Sequence, residues 1–441
     1  MSSLRLVAAS AAVLMLAGCG ERATLPMAAG YGASPTLPAP KKTLFPTMNT
    51  AKAVGWKAGE APTPRAGLEV AAFAEGLDHP RWLLVLPNGD VLVAETNSPP
   101  REGGGITGWV MGKLMGKAGA GVPSANRITL LRDADGDGVA ELKTVFLTGL
   151  NSPYGMALMG GQLYIGNTDA VVRVPYADGQ TRITAKPELI VKLPGGGNHW
   201  ARNVVAAPDG KHLFVGVGSS SNIAENGIEL EKYRANILEV APDTKTLRIL
   251  AAGLRNPNGM AINPANGQLW TVVNERDMLG SDLAPDYLTQ VEFGDHFGWP
   301  WYYWGGYPDT RVKPENPALQ EYAKRPDFAM GPHVAALGLA FSNDVKLGGR
   351  WGSGAFVGEH GSWNRSPASG YKVVYVPFGA TGYPVPKAKP VDVLTGFLDA
   401  NGDARGRPVG VIGDRSGAML VADDVGNTIW RVTPVQRTAA R

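Results

Sequence analysis

The amino-acid sequence predicts an all-β fold, a six-bladed β-propeller of four-stranded antiparallel blades. After residue 67, a unit recurs six times: a Gly- or Pro-rich loop, an apolar strand, a turn and a second apolar strand. Apolar and polar residues alternate within these units, and Pro-Asn-Gly or Pro-Asp-Gly supplies hairpin turns. The 441 residues include 58 glycines and 34 prolines, as a turn-rich protein needs. Because one such unit cannot bury both of its faces alone, six copies predict a ring of six blades.

The units are unequally spaced along the chain. They begin, in order, at Gly76, Gly149, Gly196, Gly253, His333 and Arg405. Later strands are expected at Ile128–Arg132, Ala170–Pro175, Ala235–Val240, Tyr371–Pro377 and Thr428–Val432. An early strand, Leu68–Phe73, is expected to complete the last blade and close the ring. The longest insertions are predicted at 97–126, 276–330 and 378–402, and in a propeller such loops gather at the channel, where ligands bind.

The N-terminus has the features of a secretory signal. Arg5 precedes the apolar stretch Leu6–Leu16, which is too short to span a bilayer. The following Ala-Gly-Cys resembles a bacterial lipobox, so Cys19 is expected to be lipidated, with an ordinary secretory signal as the alternative. This predicts a periplasmic protein of the cell envelope, anchored to a membrane, with the outer membrane expected. The predicted parts are a signal peptide 1–19, a Pro/Ala-rich tether 20–65, the propeller 66–434 and a tail 435–441.

Composition excludes several classes of protein. With 44% hydrophobic and 18% charged residues, the chain is expected to fold rather than to be disordered. A net charge of +3 is too small to indicate nucleic-acid binding. The single cysteine excludes a disulfide framework, a CxxC metal site and a CxxCH haem attachment. No GxGxxG follows a strand and no GxSxG is present, which argues against a Rossmann nucleotide site and an α/β-hydrolase.

Polar residues recur at positions that a propeller would bring to one end of its channel. Those expected before innermost strands are Arg81, Tyr154, Asn198, His199, Arg202, Arg255, Asn256, Arg405 and Arg407. Those expected after second strands are Glu95, Asn167, Glu275, Glu359, His360, Asp423 and Asp424. Converging arginines predict an anionic ligand with several carboxylates or phosphates, because guanidinium groups bind such groups bidentately. The alternative is that these arginines form internal salt bridges with the acidic loop residues.

Two histidines are candidate general bases, because imidazole titrates near neutrality. His199 follows a Gly-rich approach, and His360 has a similar setting and competes with it. The absence of HxH and HExxH spacing argues against zinc. Asp133–Gly138 matches the first half of an EF-hand loop, but position twelve is Thr144 rather than Glu. An Asx-rich hairpin turn, or at most a weak structural calcium site, is therefore expected there.

Residues 67–433 resemble the soluble quinoprotein sugar dehydrogenases, a group that includes glucose, aldose sugar and sorbosone dehydrogenases. The phrases that carry the resemblance are GGGNHWARNVVAAPDGKHLFVGVG, GLRNPNGMAINPANGQLW and RGRPVGV. The resemblance implies a six-bladed propeller that binds pyrroloquinoline quinone (PQQ) and Ca²⁺ at the channel mouth. It further implies hydride transfer from a sugar or related aldehyde or alcohol to the quinone.

The resemblance also implies roles for particular residues. His199 would be the general base, Arg255 and Asn256 would contact and polarise the quinone, and Arg405 and Arg407 would hold its carboxylates. Arg202 and Tyr154 occupy equivalent loop positions and are expected to be further cofactor contacts. An external electron acceptor, a quinone or a cytochrome, is expected because the chain has no haem motif.

The chain departs from the glucose-dehydrogenase pattern in two places. Asn274, Glu275, Arg276 and Asp277 stand where that pattern ligates calcium, so calcium is expected there through backbone carbonyls. The cofactor-contacting lysine has no counterpart, which places the sequence nearer the sorbosone-type branch.

Two other functions stay open at this stage. One is a calcium-dependent lactonase that uses Glu95, Asn256 and Asp423. The other is a non-catalytic envelope propeller that binds protein or glycan.

Overall fold

The computed structural model describes residues 21–41, 47–100, 112, 116–119 and 121–435. The predicted signal peptide with Cys19 and tail residues 436–441 lie outside them. Among the described residues, no helix has the length and apolar character needed to cross a membrane. Short 3-10 helices lie at Met27–Gly30, Ile228–Glu231 and Pro317–Leu319. Nearly all other regular structure in the described part is β-strand.

The described strands fall into an N-terminal set and six successive blade sets. The N-terminal strands are β1 Tyr31–Gly32, β2 Thr63–Pro64 and β3 Leu68–Ala74. Blades 1 to 3 contain β4 Pro80–Val85, β5 Val91–Glu95, β6 Arg127–Arg132, β7 Leu142–Leu147, β8 Met156–Met159, β9 Gln162–Asn167, β10 Ala170–Pro175, β11 Glu188–Lys192, β12 Val204–Ala206, β13 Leu213–Val217, β14 Asn236–Ala241 and β15 Thr246–Ala252. Blades 4 to 6 contain β16 Pro257–Ile262, β17 Leu269–Val273, β18 Pro285–Val291, β19 Tyr302–Tyr303, β20 Tyr307–Pro308, β21 Phe328–Pro332, β22 Ala336–Phe341, β23 Gly354–Glu359, β24 Lys372–Pro377, β25 Val391–Thr395, β26 Pro408–Gly413, β27 Met419–Asp423 and β28 Thr428–Pro434.

The strand pairing confirms the six-bladed propeller. Six antiparallel sheets contain β4–β7, β8–β11, β12–β15, β16–β18 with β21, β22–β25, and β26–β28 with β3. The early strand β3 pairs with β28, as expected for the strand that closes the ring. Strands β19 and β20 form a separate hairpin within blade 4.

The innermost strands of the blades form a closed ring around the central channel. Each of β4, β8, β12, β16, β22 and β26 contacts its two neighbours, including β26 with β4. Glycines allow this approach. A Cβ on Gly155 would lie 2.2 Å from the Val204 backbone nitrogen, and one on Gly338 would lie 2.2 Å from the Val409 carbonyl oxygen. A side chain at either position would push two innermost strands apart.

The hydrophobic core lies between neighbouring blades rather than at a single centre. Strands β5, β17 and β27 are buried along their whole length because both faces of each blade are covered. One cluster, for example, joins blades 6 and 1 through Phe73, Leu83, Leu131, Leu420 and Ile429. The packed blades therefore hold the loops at the channel ends in fixed positions.

Most of the segment predicted to be a tether is packed against the propeller, contrary to the expectation from the sequence. Residues 21–41 and 47–65, which we call the N-terminal strap, pack against the propeller. Strand β1 pairs with β21 as a fifth strand of blade 4, and β2 pairs with β25 as a fifth strand of blade 5. The ring of Trp56 packs edge-on against Phe397 and Trp430. These contacts give the Pro/Ala-rich segment a fixed course despite its lack of periodicity.

Two predicted insertions also contain blade strands. Segment 276–330 carries β18 and most of β21, the third and fourth strands of blade 4. Segment 378–402 carries β25, the fourth strand of blade 5. Their strands were missed because long loops separate them from the recognisable part of each repeat.

Candidate active site

One end of the channel is lined by loops from all six blades. Neighbouring strands of a blade are antiparallel, so the loop before an innermost strand and the loop after the second strand lie at the same end. Buried charged and polar side chains on these loops form two clusters. The first surrounds His199 and Asp277, and the second surrounds Asp424.

His199 has a fixed ring orientation and a defined tautomer. Its Nδ1 atom lies 2.8 Å from the carbonyl oxygen of Ser219. Because a carbonyl oxygen only accepts hydrogen bonds, Nδ1 carries the proton and Nε2 of the neutral ring is an acceptor. Burial, with a further contribution from the Arg255 guanidinium, lowers the pKa of His199 to about 3. The ring is therefore neutral at physiological pH.

Asn256 lies beside His199, as the sequence analysis expected. A Cβ on Gly218 would be 2.3 Å from Asn256 Oδ1 and 2.5 Å from His199 Cβ, so this glycine fills the space between the two side chains. The Asn256 amide donates to Asn274 Oδ1 over 3.0 Å. Asn274 in turn donates to the Ala336 carbonyl, which ties the cluster to blade 5.

Arg255 is held in the first cluster by an ion pair. Its Nη2 atom lies 2.8 Å from Asp277 Oδ2, and its Nη1 donates to the Glu275 carbonyl over 2.7 Å. Burial raises the pKa of Asp277, but the Arg255 and His333 cations outweigh it and the pKa is lowered to about 2. The other oxygen, Oδ1, accepts a hydrogen bond from Asn364 over 3.0 Å. His333 Nδ1 lies 3.7 Å from the same oxygen.

The second cluster has the buried carboxylate of Asp424 at its centre. His360 Nε2 donates to Asp424 Oδ2 over 2.8 Å, and Arg81 Nη1 contacts the same oxygen. His79 Nε2 lies 3.5 Å away. The His360 and His79 imidazoles and the Arg81 guanidinium together outweigh the effect of burial and lower the pKa of Asp424. Burial lowers the pKa of His360 to about 4, with Arg407 among the cations that contribute.

The two arginines of the terminal motif differ in their surroundings. Arg407 is 5% exposed, and its Nη2 donates to the Tyr371 hydroxyl over 3.2 Å and to the Ala51 carbonyl over 3.4 Å. Arg405 is partly exposed, and its Nε lies 3.8 Å from Glu60 Oε2. Both arginines therefore contact the N-terminal strap.

Arg202 and Tyr154 are completely buried, and each has protein partners. Arg202 donates to the carbonyls of Pro194, His199 and Ala201. The Tyr154 hydroxyl donates to Asn258 Oδ1 over 2.8 Å, and burial raises the pKa of Tyr154 to about 12. In this structure, Arg202 positions the loop that carries His199, while Tyr154 packs beneath the Arg81 guanidinium. These contacts support the site, while the Arg202 Nε has no hydrogen-bond partner. The expected contact of both residues with a cofactor stays a prediction.

The segment expected to ligate calcium is already bonded to cationic donors. The Glu275 carbonyl accepts from Arg255, and the Asp277 carbonyl accepts from Arg311 over 3.0 Å. Arg276 is completely buried and donates to Glu275 Oε2 and to the Pro300 carbonyl. Residues 274–277 do not fit a divalent cation in this arrangement.

The acidic loop of blade 1 has a compact geometry. One oxygen from each of Asp133, Asp135, Asp137 and Glu141 lies within 4.8 Å of the others. Asp133 accepts backbone N–H groups from Gly136 and Gly138, the Asx-turn pattern that the sequence predicts. The loop joins β6 and β7, at the end of the strands opposite the loops that carry the candidate site.

The residues present fit a multiply anionic ligand. Among the described side chains, the Nε atoms of Arg81, Arg202 and Arg407 are buried and have no hydrogen-bond partner. Buried N–H groups are normally paired, and a guanidinium N–H suits a carboxylate. The salt-bridge alternative holds for part of the site, because Arg81 and Arg255 each pair with an aspartate. The unpartnered Nε–H groups remain available beyond those pairs.

Sequence reasoning missed several members of the site. His333 and Asn364 meet Asp277 from blade 5 loops, and His79 meets Asp424 from the start of blade 1. The Gly-Pro-His-Val phrase at the start of the fifth repeat is the only signal that could have indicated His333. Spacing alone could not pair it with a residue 56 positions earlier.

A family model described as TrAA12-like matches residues 62–292 and 289–435 of the chain. An uncharacterised protein of Borreliella burgdorferi is 27% identical over 363 residues, covering 79% of this chain and 90% of that protein. The aldose sugar dehydrogenase YliI of Escherichia coli K12 is 26% identical over 315 residues, covering 66% of this chain and 78% of the relative.

A pyrroloquinoline quinone-dependent pyranose dehydrogenase of Coprinopsis cinerea is 25% identical over 440 residues. This match covers 84% of the present chain and 55% of the fungal one. Among solved structures, a calcium structure of a Trichoderma reesei carbohydrate-active enzyme of family AA12 superposes with a TM-score of 0.69 at 19% identity. The superposition covers 88% of this chain and 99% of the other, and it supports the propeller fold.

Proposed function

The chain belongs to the TrAA12-like family, and on this basis we propose that it is a dehydrogenase that uses pyrroloquinoline quinone to oxidise a sugar. The observation that carries the proposal is the pair of buried, unpartnered guanidinium N–H groups of Arg81 and Arg407. A flat ligand with several carboxylates would satisfy them. The names of the Escherichia coli and Coprinopsis cinerea relatives support the same activity.

The two clusters of side chains suggest separate proposed roles, one in holding the cofactor and one in the reaction. When bound, the quinone supplies an electrophilic carbonyl carbon that can accept a hydride. Arg407 and Arg81 would hold its carboxylates, and Arg405 would extend this positive surface toward solvent. Arg255 and Asn256 lie beside His199. The positive charge of Arg255, whose N–H groups are bonded to protein acceptors, and the Asn256 amide would stabilise negative charge as it develops.

His199 is proposed as the general base for the substrate hydroxyl. Nδ1 is committed to the Ser219 carbonyl, so Nε2 is the atom that takes the proton. A pKa of about 3 keeps the ring neutral but makes it a weak base. A bound anionic ligand would raise the pKa of His199, because nearby negative charge favours the imidazolium. His360 is the less suitable base, since its Nε2 is already bonded to Asp424.

We propose an aldose or a related aldehyde or alcohol as the substrate, with a sorbosone-like compound included. Electrons would pass to an external quinone or cytochrome. Calcium is proposed as a second cofactor whose position is open. A lipid anchor at Cys19 and a place in the periplasm or outer membrane likewise remain proposals. We do not propose the lactonase, because Glu95 is bonded to Arg127 and Thr129 and Asp423 is bonded to two indoles.

The experiment is a titration of the purified, cofactor-free chain with pyrroloquinoline quinone, with and without Ca²⁺, followed by absorbance. Saturable binding and quinone-dependent, dye-linked oxidation of a panel of aldoses are expected. Arg407→Lys should weaken binding, whereas Arg415→Lys, at an exposed arginine on the opposite channel end, should not. A wild-type chain that binds no quinone would disprove the proposal. Lactone hydrolysis without quinone would favour the alternative enzyme.

A further inference from the structure

The N-terminal strap crosses the loops that carry the terminal arginine motif. Its Asn49 backbone N–H donates to the Trp363 carbonyl, and Val54 and Ala404 are joined by a backbone hydrogen bond of 2.8 Å. Ala51 is buried in the core cluster that contains Tyr371 and Ala404. This part of the strap therefore lies at the channel end that holds the candidate site.

Trp56 bonds a carboxylate that holds the backbone of Arg407. The Trp56 indole N–H donates to Asp423 Oδ2 over 2.7 Å, and Trp430 donates to the same oxygen over 3.0 Å. The other oxygen, Oδ1, accepts the backbone N–H groups of Arg407 and Gly426, each over 2.8 Å. Asp423 has no exposed surface, so these protein donors fix its orientation.

Close packing around Trp56 and Asp423 leaves these two side chains little room to move. A Cβ on Gly406 would lie 2.2 Å from Asp423 Oδ2, and one on Gly426 would lie 2.6 Å from Trp56 Nε1. The strap also contacts both arginines of the motif directly, through the Ala51 carbonyl on Arg407 and the Glu60 carboxylate near Arg405. The strap thus contacts the Arg407 guanidinium directly, through Ala51, and its backbone indirectly, through Trp56 and Asp423.

We propose that the strap is an integral part of the ligand site and that Trp56 is a positioning residue for Arg407, acting through Asp423. This inference rests on the proposed function, because it assigns Arg407 to the carboxylates of the quinone. Trp56 itself touches no reacting atom. Its contribution is to keep the Arg407 guanidinium at the place where its unpartnered Nε can meet an anion.

The test compares Trp56→Phe with Trp301→Phe in the full chain. Both tryptophans are half-buried, and each donates one indole hydrogen bond, Trp301 to the Pro314 carbonyl over 2.9 Å. In a quinone titration, Trp56→Phe should raise Kd about five- to tenfold, whereas Trp301→Phe should leave it unchanged. Trp430→Phe, which removes the second indole donor, should act in the same direction as Trp56→Phe.

Two further measurements separate positioning from general stability. In the cofactor-free chain, the Arg407 amide should exchange hydrogen faster in Trp56→Phe than in Trp301→Phe. In an Arg407→Lys background, Trp56→Phe should change Kd less than about twofold, because coupled residues are not additive. If the wild type binds quinone and Trp56→Phe binds it equally well, the inference is wrong while the proposed function stands. If the wild type binds none, both are wrong.

Discussion

Arg255 and Asp277 form a buried ion pair in which Nη2 and Oδ2 are 2.8 Å apart. Asp277 also accepts a hydrogen bond from Asn364, so it links Arg255 of blade 4 to a loop of blade 5. Its negative charge favours protonation of the neighbouring His199. The Asp277 carboxylate therefore holds the Arg255 guanidinium in place and also counteracts the lowering of the pKa of His199 by burial.

Asp277→Asn should reduce catalysis by weakening both effects. Without the carboxylate, Arg255 loses its charged partner and the pKa of His199 falls further. We expect kcat/KM for sugar oxidation to fall by about ten- to a hundredfold, in keeping with a lost charge-assisted hydrogen bond. Steady-state kinetics measure this. Asp209→Asn, which breaks the exposed pair with His212, is the matched control and should leave kcat/KM unchanged. Equal activity of the two variants would contradict the prediction.

His199→Gln tests the proton transfer directly. Glutamine keeps a polar side chain of similar reach but cannot take up a proton at neutral pH. The turnover number should fall by about 10²- to 10⁴-fold, the usual contribution of a general base. Quinone affinity should change little, because the guanidinium groups carry the binding. Parallel turnover and absorbance titrations separate the two quantities, and a loss of binding without loss of turnover at saturating quinone would rule out the assigned role.

The sequence was sufficient to predict the ring of six blades. It was not sufficient to predict the pairing of the N-terminal strap with distant blade strands. Strand β10 lies at Ala170–Pro175, where the repeat predicts it, because the repeated unit is a local pattern of turn and apolar residues. Strand β1 has only two residues, Tyr31 and Gly32, and exists through pairing with β21, some 300 positions later. No local pattern encodes such a pairing, so the strap was predicted as a tether.

The same limit applies to the site. The repeat phase predicts that His199, Arg255, Asn256 and Arg407 lie at one end of the channel, and the structure places them on the loops at one end. It could not show that Arg202 turns inward to bond three backbone carbonyls, because an arginine in a loop can bind a ligand or its own loop. That choice depends on the path of the surrounding backbone, which only the folded chain defines.

Gly218→Ala should inactivate the protein for a steric reason. The added methyl group would lie within 2.5 Å of both Asn256 Oδ1 and His199 Cβ and must push one of them away. We expect at least about a hundredfold loss of turnover, since small displacements of catalytic groups are costly. Gly349→Ala is the control, because a Cβ there meets nothing within 4 Å. Retained turnover in Gly218→Ala would show that His199 and Asn256 need not be adjacent.

Glu359 is a buried acid whose carboxylate oxygens both lack a hydrogen-bond partner. It has no exposed surface and lies at the end of β23, opposite Lys372 in β24. Burial raises the pKa of Glu359 from its ordinary value of 4.5 to about 8. The folded protein thus holds a proton that the unfolded chain releases between these two values.

Replacing this acid should remove a pH dependence of stability. Because the folded pKa is raised, the stabilisation is fully present below pH 4.5 and is lost as the pH rises to about 8. The loss amounts to at most about 5 kcal/mol. Glu359→Gln cannot ionise, so its unfolding free energy in urea should fall less than that of the wild type between pH 5 and pH 9. Glu188→Gln, at an exposed glutamate whose pKa is lowered by Lys245 and Arg173, should follow the wild type. Parallel curves for all three proteins would mean that Glu359 is ionised in the folded state.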